Sequence, residues 1–262
     1  MGLAFGSFIN AYVWRSYQSQ KKKNKDKLSV WNGRSICPEC RHTLSAIDLI
    51  PIVSWIMLGG KCRYCKKPIS IQYPLVELST TLLFILSYVY WPLNFTNEGI
   101  TLFVFWLIFL VGFMMLMIYD FRWRLLPNRI VMPLVFLAIV QLVVQLIFFN
   151  AGLSLLLSAF WGILFSAGLF YGIFIISNGA WIGGGDVKLA IALGILLGGP
   201  MKVLLMIFLA SFVGSIISIT LIATKKLKQN SLIPFGPLLI LSTIVCYLFG
   251  TGIINWYKNF IF

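Results

Sequence analysis

A chain of 262 residues with 60% hydrophobic and only 11% charged residues falls outside the ordinary soluble class, in which about 25% of residues carry charge. Its seven acidic residues stand against 21 Lys and Arg, a formal net charge of +14. In so apolar a chain that excess reads as the inner-side bias that orients membrane helices, and no nucleic-acid partner is expected.

The first apolar run, Met1 to Trp14, meets a basic flank at Arg15 and is short for a span, which needs about 20 apolar residues. No small-residue cleavage site of the secretory kind precedes that flank, so a cleavable signal peptide is not expected. The run is taken as a short first transmembrane helix over residues 1–17. A polar, basic insert follows over 18–73, with the run KKKNKDK and four of the five cysteines. From 74 to 262 the chain is nearly all membrane-grade sequence, and spans are predicted at 74–92, 99–119, 129–149, 152–176, 187–199, 201–223 and 237–256. The predicted fold is an all-α polytopic membrane protein of about eight transmembrane helices, with an insert after the first. No convincing internal repeat is visible.

Charge tests the topology. With the N-terminus outside and the insert in the cytoplasm, 19 of the 21 basic residues fall inside, and only Lys202 and Lys258 fall outside. Of the acids, Asp26, Glu39 and Asp48 belong to the insert, Glu77 lies just inside the second span, and Glu98 is in an outer loop. Asp120 and Asp186 remain, both at the inner edge of the membrane on helix ends that can converge. Ionisable groups at membrane depth are costly and usually mark function. The bland alternatives are a salt bridge from Asp120 to Arg122 or Arg124, and an N-cap by Asp186 for a helix starting at Val187.

The chemistry that wants two neighbouring carboxylates is aspartyl proteolysis: they share a proton, the ionised one activates water, and the protonated one polarises the scissile carbonyl. Gly183, Gly184 and Gly185, just before Asp186, are expected to let backbone approach the substrate closely and to adopt positive φ. In the insert, Cys37 and Cys40, then Cys62 and Cys65, form two C-x-x-C pairs separated by 21 residues. Four thiolates complete a closed tetrahedral zinc site, and a small insert gains a staple from it. A reducing cytoplasmic side argues against the alternative of disulfides. His42 is read as an exposed neighbour rather than a ligand, and Cys246 as a packed apolar residue.

GSFINAYVWR, CPEC, DLIPIVSWIMLGGKCRYCKKPIS and YPLVEL together resemble the amino-terminal half of the type IV prepilin peptidases. Asp120 followed by LPN, the GGGD ending at Asp186, and IPFGPLL at 233–239 resemble that family's peptidase half. The resemblance implies cleavage of the short basic leader of prepilins or pseudopilins after a glycine at the cytoplasmic face of the bacterial inner membrane. It also implies N-methylation of the new amino terminus with S-adenosylmethionine, catalytic roles for Asp120 and Asp186, and the metal-binding quartet of bifunctional members. The family's lead-in before the GSF-x-N motif is longer than the one here. No glycine-rich loop of the Rossmann kind locates a methyl-donor site; Asn10, Arg15 and the insert are the candidates. The chain's own basic inner face must receive a basic leader, so Glu39, Asp48 and Glu77 are expected to line its path unless anionic lipid screens the repulsion. Competing readings are a peptidase without methylation, an ion-coupled transporter using the Asp120/Asp186 pair, and a zinc-held scaffold. Oligomeric state is not readable from the sequence.

Overall fold

The computed structural model describes residues 1–20, 34–224 and 234–261. The lysine run, Asp26, and Lys225, Lys226 and Lys228 lie outside these residues. Among the described residues the regular structure is helical, apart from two isolated β-bridges. The chain forms two compact units, Met1–Val89 and Tyr90–Phe262.

In the first unit, α1 (Gly2–Gln20) packs against α3 (Gln72–Val89), with the short α2 (Val53–Met57) between them in sequence. Small residues make that seam: a Cβ on Gly2 would lie 2.6 Å from Thr81 Cα, and one on Gly6 would lie 2.5 Å from Glu77 Cα. One turn further, Asn10 Nδ2 donates to the Tyr73 carbonyl at 3.1 Å. The pairs 2 with 81, 6 with 77 and 10 with 73 are an antiparallel register stepping one turn at a time, the close-approach geometry that spaced glycines permit. This seam ties α3 to the first helix within one compact unit. Helix α1 also runs beyond the predicted limit of 17, because RSYQSQ contains no breaker and the Ser19 hydroxyl bonds the Ser16 carbonyl at 2.8 Å.

Before α2 the chain makes a tight γ-turn. Ile52 sits at φ 61 and ψ −52, and the Val53 N–H donates to the Pro51 carbonyl at 2.6 Å. A β-branched residue at positive φ stores on the order of 1–3 kcal/mol and must be held from outside. The holder is Glu77, whose Oε2 accepts the Ile52 N–H at 2.7 Å.

In the second unit, α4 (Asn97–Trp123), α5 (Asn128–Phe148), the rod Leu153–Ile176, α9 (Pro200–Ala223) and α10 (Gly236–Ile261) are long and apolar enough to cross a membrane. The rod is α6 (Leu153–Ile163), a π-turn over Leu164–Gly168, and α7 (Leu169–Ile176). Helix α4 is central, with Trp106, Phe109, Leu110, Phe113, Leu116 and Tyr119 fully buried. Trp106 stacks on Tyr247 of α10 at 4.2 Å, fixing the helix pair at the end far from Asp120.

Helix α8 (Gly184–Leu197) has 14 residues, about 21 Å, against a hydrocarbon core of about 30 Å. It starts and ends earlier than the predicted 187–199. Gly183 is its N-cap, and Gly198 and Gly199 turn the chain at φ 56 and 86, where helix cannot continue. The helix crosses α6 at two glycines: a Cβ on Gly194 would lie 2.6 Å from the Gly162 carbonyl oxygen. Beside this crossing, the Ser166 hydroxyl in the π-turn donates to the Ala190 carbonyl at 2.8 Å, and the Gly199 N–H donates to the Ser158 carbonyl at 2.9 Å. The position of α8 is therefore set by backbone contact with the rod.

Candidate active site and metal centre

Asp120 lies in the last turns of α4, before the Arg124 C-cap, whose left-handed conformation (φ 52, ψ 42) returns its N–H to the Asp120 carbonyl at 2.8 Å. The side chain is turned inward, leaving the residue only 6% exposed. Asp186 is in the first turn of α8, its N–H bonded to the Gly183 carbonyl at 3.0 Å. It is thus inside the helix, and the alternative of Asp186 as N-cap for a helix beginning at Val187 falls, since Gly183 is the N-cap. Its Oδ1 is buried and has no hydrogen-bond partner. The two carboxylates are close enough for the charge of Asp120 to act on Asp186, so the sequence pair converges.

The glycines act differently from expectation. Gly183, Gly184 and Gly185 are not among the positive-φ residues. Gly185 is required by contact, since a Cβ there would lie 2.7 Å from Leu126 Cβ. At Gly183 a Cβ would come within 3.3 Å of Asp186 Oδ2, whereas at Gly184 the nearest atom is 3.8 Å away. Leu126, on the α4–α5 loop, also reaches 3.4 Å from the Cβ position of Gly236, and that position is 2.7 Å from Asp120 Oδ2. The start of α10 therefore lies against the Asp120 carboxylate. Neither Leu126 nor Gly236 was assigned a role from sequence. The IPFGPLL stretch flagged Gly236, but nothing local shows that it returns to α4. Around the pair, Arg124 acts on Asp120, and Lys188 Nζ donates to Asn128 Oδ1 at 3.0 Å.

In the first unit the four cysteine sulfurs lie within 4.8 Å of one another, with Cys37 Sγ and Cys65 Sγ 3.9 Å apart. Tetrahedral zinc with bonds of about 2.3 Å places sulfurs about 3.8 Å apart, so the quartet fits. Its halves are congruent knuckles. Arg41 N–H donates to the Cys37 carbonyl and Cys37 N–H to the His42 carbonyl; Lys66 with Cys62 and Cys62 with Lys67 repeat the pattern, at 2.9–3.0 Å. Arg41 and Lys66 take matching φ of 58 and 60. Burial opposes ionisation of Cys62, yet the Cys65 and Tyr64 backbone N–H groups donating to its sulfur bring it down to about 7. His42 is exposed and stacks on Tyr64 at 3.7 Å, linking the knuckles without serving as a ligand.

The acids expected to line a leader path are engaged within this unit. Glu39 accepts from Lys67 at 2.5 Å; Asp48 accepts from Arg63 at 2.7 Å and from the Ser45 hydroxyl at 2.8 Å. Glu77 accepts from the Ile52 N–H at 2.7 Å. Folding of the insert consumes these carboxylates. Asn10, a candidate for the methyl-donor site, is buried at the α1–α3 seam, with its Oδ1 unpartnered.

A multi-pass helical membrane protein with one buried and one half-buried carboxylate packed about Leu126 and a separate thiolate quartet is the class that fold and sites define. Residues 1–91 match the bacterial peptidase A24 N-terminal domain, and residues 107–219 match the type IV leader peptidase family. The chain is 32% identical to a prepilin leader peptidase/N-methyltransferase of Pseudomonas aeruginosa, over 99% of this chain and 92% of that protein. It is 34% identical to a protein of the same name from Bacillus subtilis, over 88% of this chain and 87% of the relative, and 29% identical to one from Legionella pneumophila. No solved structure matches the chain. The chain belongs to the type IV leader peptidase family.

Proposed function

We propose that this chain is a bifunctional membrane enzyme, an aspartyl endopeptidase that removes the short basic leader from prepilins or pseudopilins after a glycine and an N-methyltransferase for the exposed amino terminus. The observation that carries the peptidase reading is the convergence of buried Asp120 and half-buried Asp186, within reach of each other's charge on two helices of one unit. The ionised carboxylate takes a proton from water, and the resulting hydroxide adds to the scissile carbonyl. The protonated carboxylate gives its proton to the carbonyl oxygen, and collapse of the tetrahedral adduct expels the amine with a proton returned from the pair. Gly183, Gly184 and Gly185 shape the wall beside Asp186, with Gly185 closing against Leu126.

Cys37, Cys40, Cys62 and Cys65 hold a structural zinc ion; four thiolates close the site and leave no open position for chemistry. S-adenosylmethionine supplies the methyl group when bound. The name shared by the relatives and the presence of the amino-terminal domain support methylation as well as cleavage. They favour neither a cleavage-only enzyme nor an ion-coupled transporter. Helices at all eight predicted positions support an eight-span arrangement. The layout is a first helix near 1–17, a cytoplasmic insert over 18–73 and a membrane peptidase region over 74–262. The charge count supports an outside N-terminus, and a catalytic pair and insert on the cytoplasmic side of the inner membrane. With the described acids of the insert engaged, anionic lipid is the remaining screen between a basic leader and the basic inner face.

The test is co-expression with a prepilin-like substrate, followed by intact mass. Wild type removes the leader and adds one methyl group, while Asp120→Asn and Asp186→Asn each leave the leader in place. A stably expressed Asn variant that cleaves at the wild-type rate removes the dyad mechanism.

A further inference from the structure

The catalytic reading leaves unexplained why one bulky side chain stands among glycines beside the two aspartates. We propose that Leu126 is the specificity-determining residue of the peptidase site, a fixed apolar wall that admits glycine in preference to any larger residue on the leader side of the scissile bond. The inference rests on the dyad reading above and deepens it, because it names the part of the substrate that the site measures.

The packing around this leucine carries the inference. A Cβ at Gly236 would lie 2.7 Å from Asp120 Oδ2 and 3.4 Å from both Leu126 methyl carbons, so carboxylate and leucine border one space of methyl size. A Cβ at Gly185, the residue before Asp186, would lie 2.7 Å from Leu126 Cβ and 3.5 Å from its Cδ1. At Gly183 a Cβ would come within 3.3 Å of Asp186 Oδ2. Backbone from α8 and α10 thus reaches the aspartates without side chains, and Leu126 is the side chain that both approaches meet. Asp120 is buried whereas Leu126 is half-buried, so part of the leucine faces outward beside a carboxylate that is itself covered.

The wall is also held on both sides. Two residues before it, Arg124 closes α4 in the left-handed conformation, its N–H on the Asp120 carbonyl at 2.8 Å. After it, Pro127 restricts the backbone of the leucine and caps α5, its carbonyl accepting the Ile130 and Val131 N–H groups at 2.9 and 3.1 Å. Asn128 Oδ1 then accepts from Lys188 Nζ at 3.0 Å, tying the loop to the helix that carries Asp186. A substrate meets this wall at a defined place. The residue that supplies the scissile carbonyl carries its Cβ nearer to the attacked carbon, through the chain, than any other substrate residue does. A Cβ there must enter the space that the leucine methyls close, and a wall that cannot yield transfers the clash to the position of the carbonyl. A glycine brings no Cβ and leaves the carbonyl in place.

The experiment uses the full-length enzyme and two prepilin-like substrates that differ only in having Gly or Ala as the last leader residue. The ratio of kcat/KM for the two substrates is measured in wild type and Leu126→Ala, with Asp120→Asn as the control for the dyad. Wild type is expected to favour the glycine substrate by at least about tenfold, the scale on which a pocket senses one carbon. Leu126→Ala is expected to shrink that ratio by at least about fivefold, because the shortened wall makes room for the added methyl. A leucine that merely supports the fold lowers both rates alike, so an unchanged ratio overturns the proposal, as does a wild-type enzyme that cleaves the two substrates equally well. If Asp120→Asn cleaves at the wild-type rate, the dyad reading itself fails. Should Leu126→Ala not fold or cleave neither substrate, Leu126→Val and Leu126→Met decide. The shorter side chain shrinks the ratio and the one of similar volume keeps it; equal ratios in these two variants overturn the proposal.

Discussion

Gly194→Ala adds a single methyl group where α8 crosses the rod, far from any reacting atom. The methyl would lie 2.6 Å from the Gly162 carbonyl oxygen, 2.8 Å from its carbon and 2.9 Å from the Ile163 nitrogen, all backbone atoms that cannot swing aside. Ordinary contact begins at 3.4 Å, so the two backbones must part by about 0.8 Å. Overpacking of this kind costs about 1–3 kcal/mol. Asp186 lies eight residues up the same helix, about 12 Å along its axis, and a stiff helix carries part of the displacement to it. A 1 Å misplacement of a catalytic group can cost about 100-fold, so cleavage is expected to fall on the order of tenfold. Gly172→Ala is the matched control: the same methyl there meets nothing within 4 Å, so the rate stays at the wild-type level and helix propensity adds up to about 1 kcal/mol. Leader removal by intact mass and thermal unfolding in one detergent measure both effects. Wild-type cleavage and melting in Gly194→Ala would refute the claim that this crossing sets the position of Asp186, as would equal losses in both variants.

The remaining expectations concern the first unit. Purified enzyme should carry about one zinc ion per chain by elemental analysis, and Cys37→Ser/Cys40→Ser should carry none and lose thermal stability, because a four-thiolate site contributes its binding energy to folding. Burial opposes ionisation of Asp48, but the Ser45 hydroxyl and the Arg63 guanidinium hold it below the usual carboxylate range. A depressed carboxylate stabilises above its unfolded value of about 4 and loses that contribution as pH falls through the folded value. Asp48→Asn should therefore release zinc to a chelator about tenfold faster at pH 7, the scale of one charged hydrogen bond, with the difference unchanged down to about pH 5 and closing only below about pH 4; a difference that closes between about pH 7 and 5 would contradict this account. Glu77→Leu leaves the Ile52 amide without its acceptor, at a cost of about 1–3 kcal/mol, and should speed exchange across residues 50–54 before any global unfolding.

Fold class and most helix positions follow from local physics. Runs of apolar residues must leave water wherever they occur, and basic residues stay on the inner side, so α1 and α3 to α10 lie close to where hydropathy puts them. The C-x-x-C knuckles are equally local, since a turn of four residues brings two sulfurs together. The aspartates stood out because an ionisable group at membrane depth is costly and seven acids are few enough to sort. Local reasoning went astray where a contact from another part of the chain decides. The glycines before Asp186 read as a flexible, positive-φ stretch, but only their packing against Leu126 explains Gly185. Glu39, Asp48 and Glu77 read as free acids until Lys67, Arg63 and the strained Ile52 amide were seen to occupy them. Composition, charge and cysteine spacing determine a multi-pass helical protein with a thiolate quartet and two carboxylates at helix ends, because burial energies and short turns are properties of neighbouring residues. The convergence of those carboxylates, the packing of Gly236 against Asp120 and the glycine crossing that places α8 were decided by tertiary structure, because each depends on the rotation and separation of helices that no local run of residues encodes.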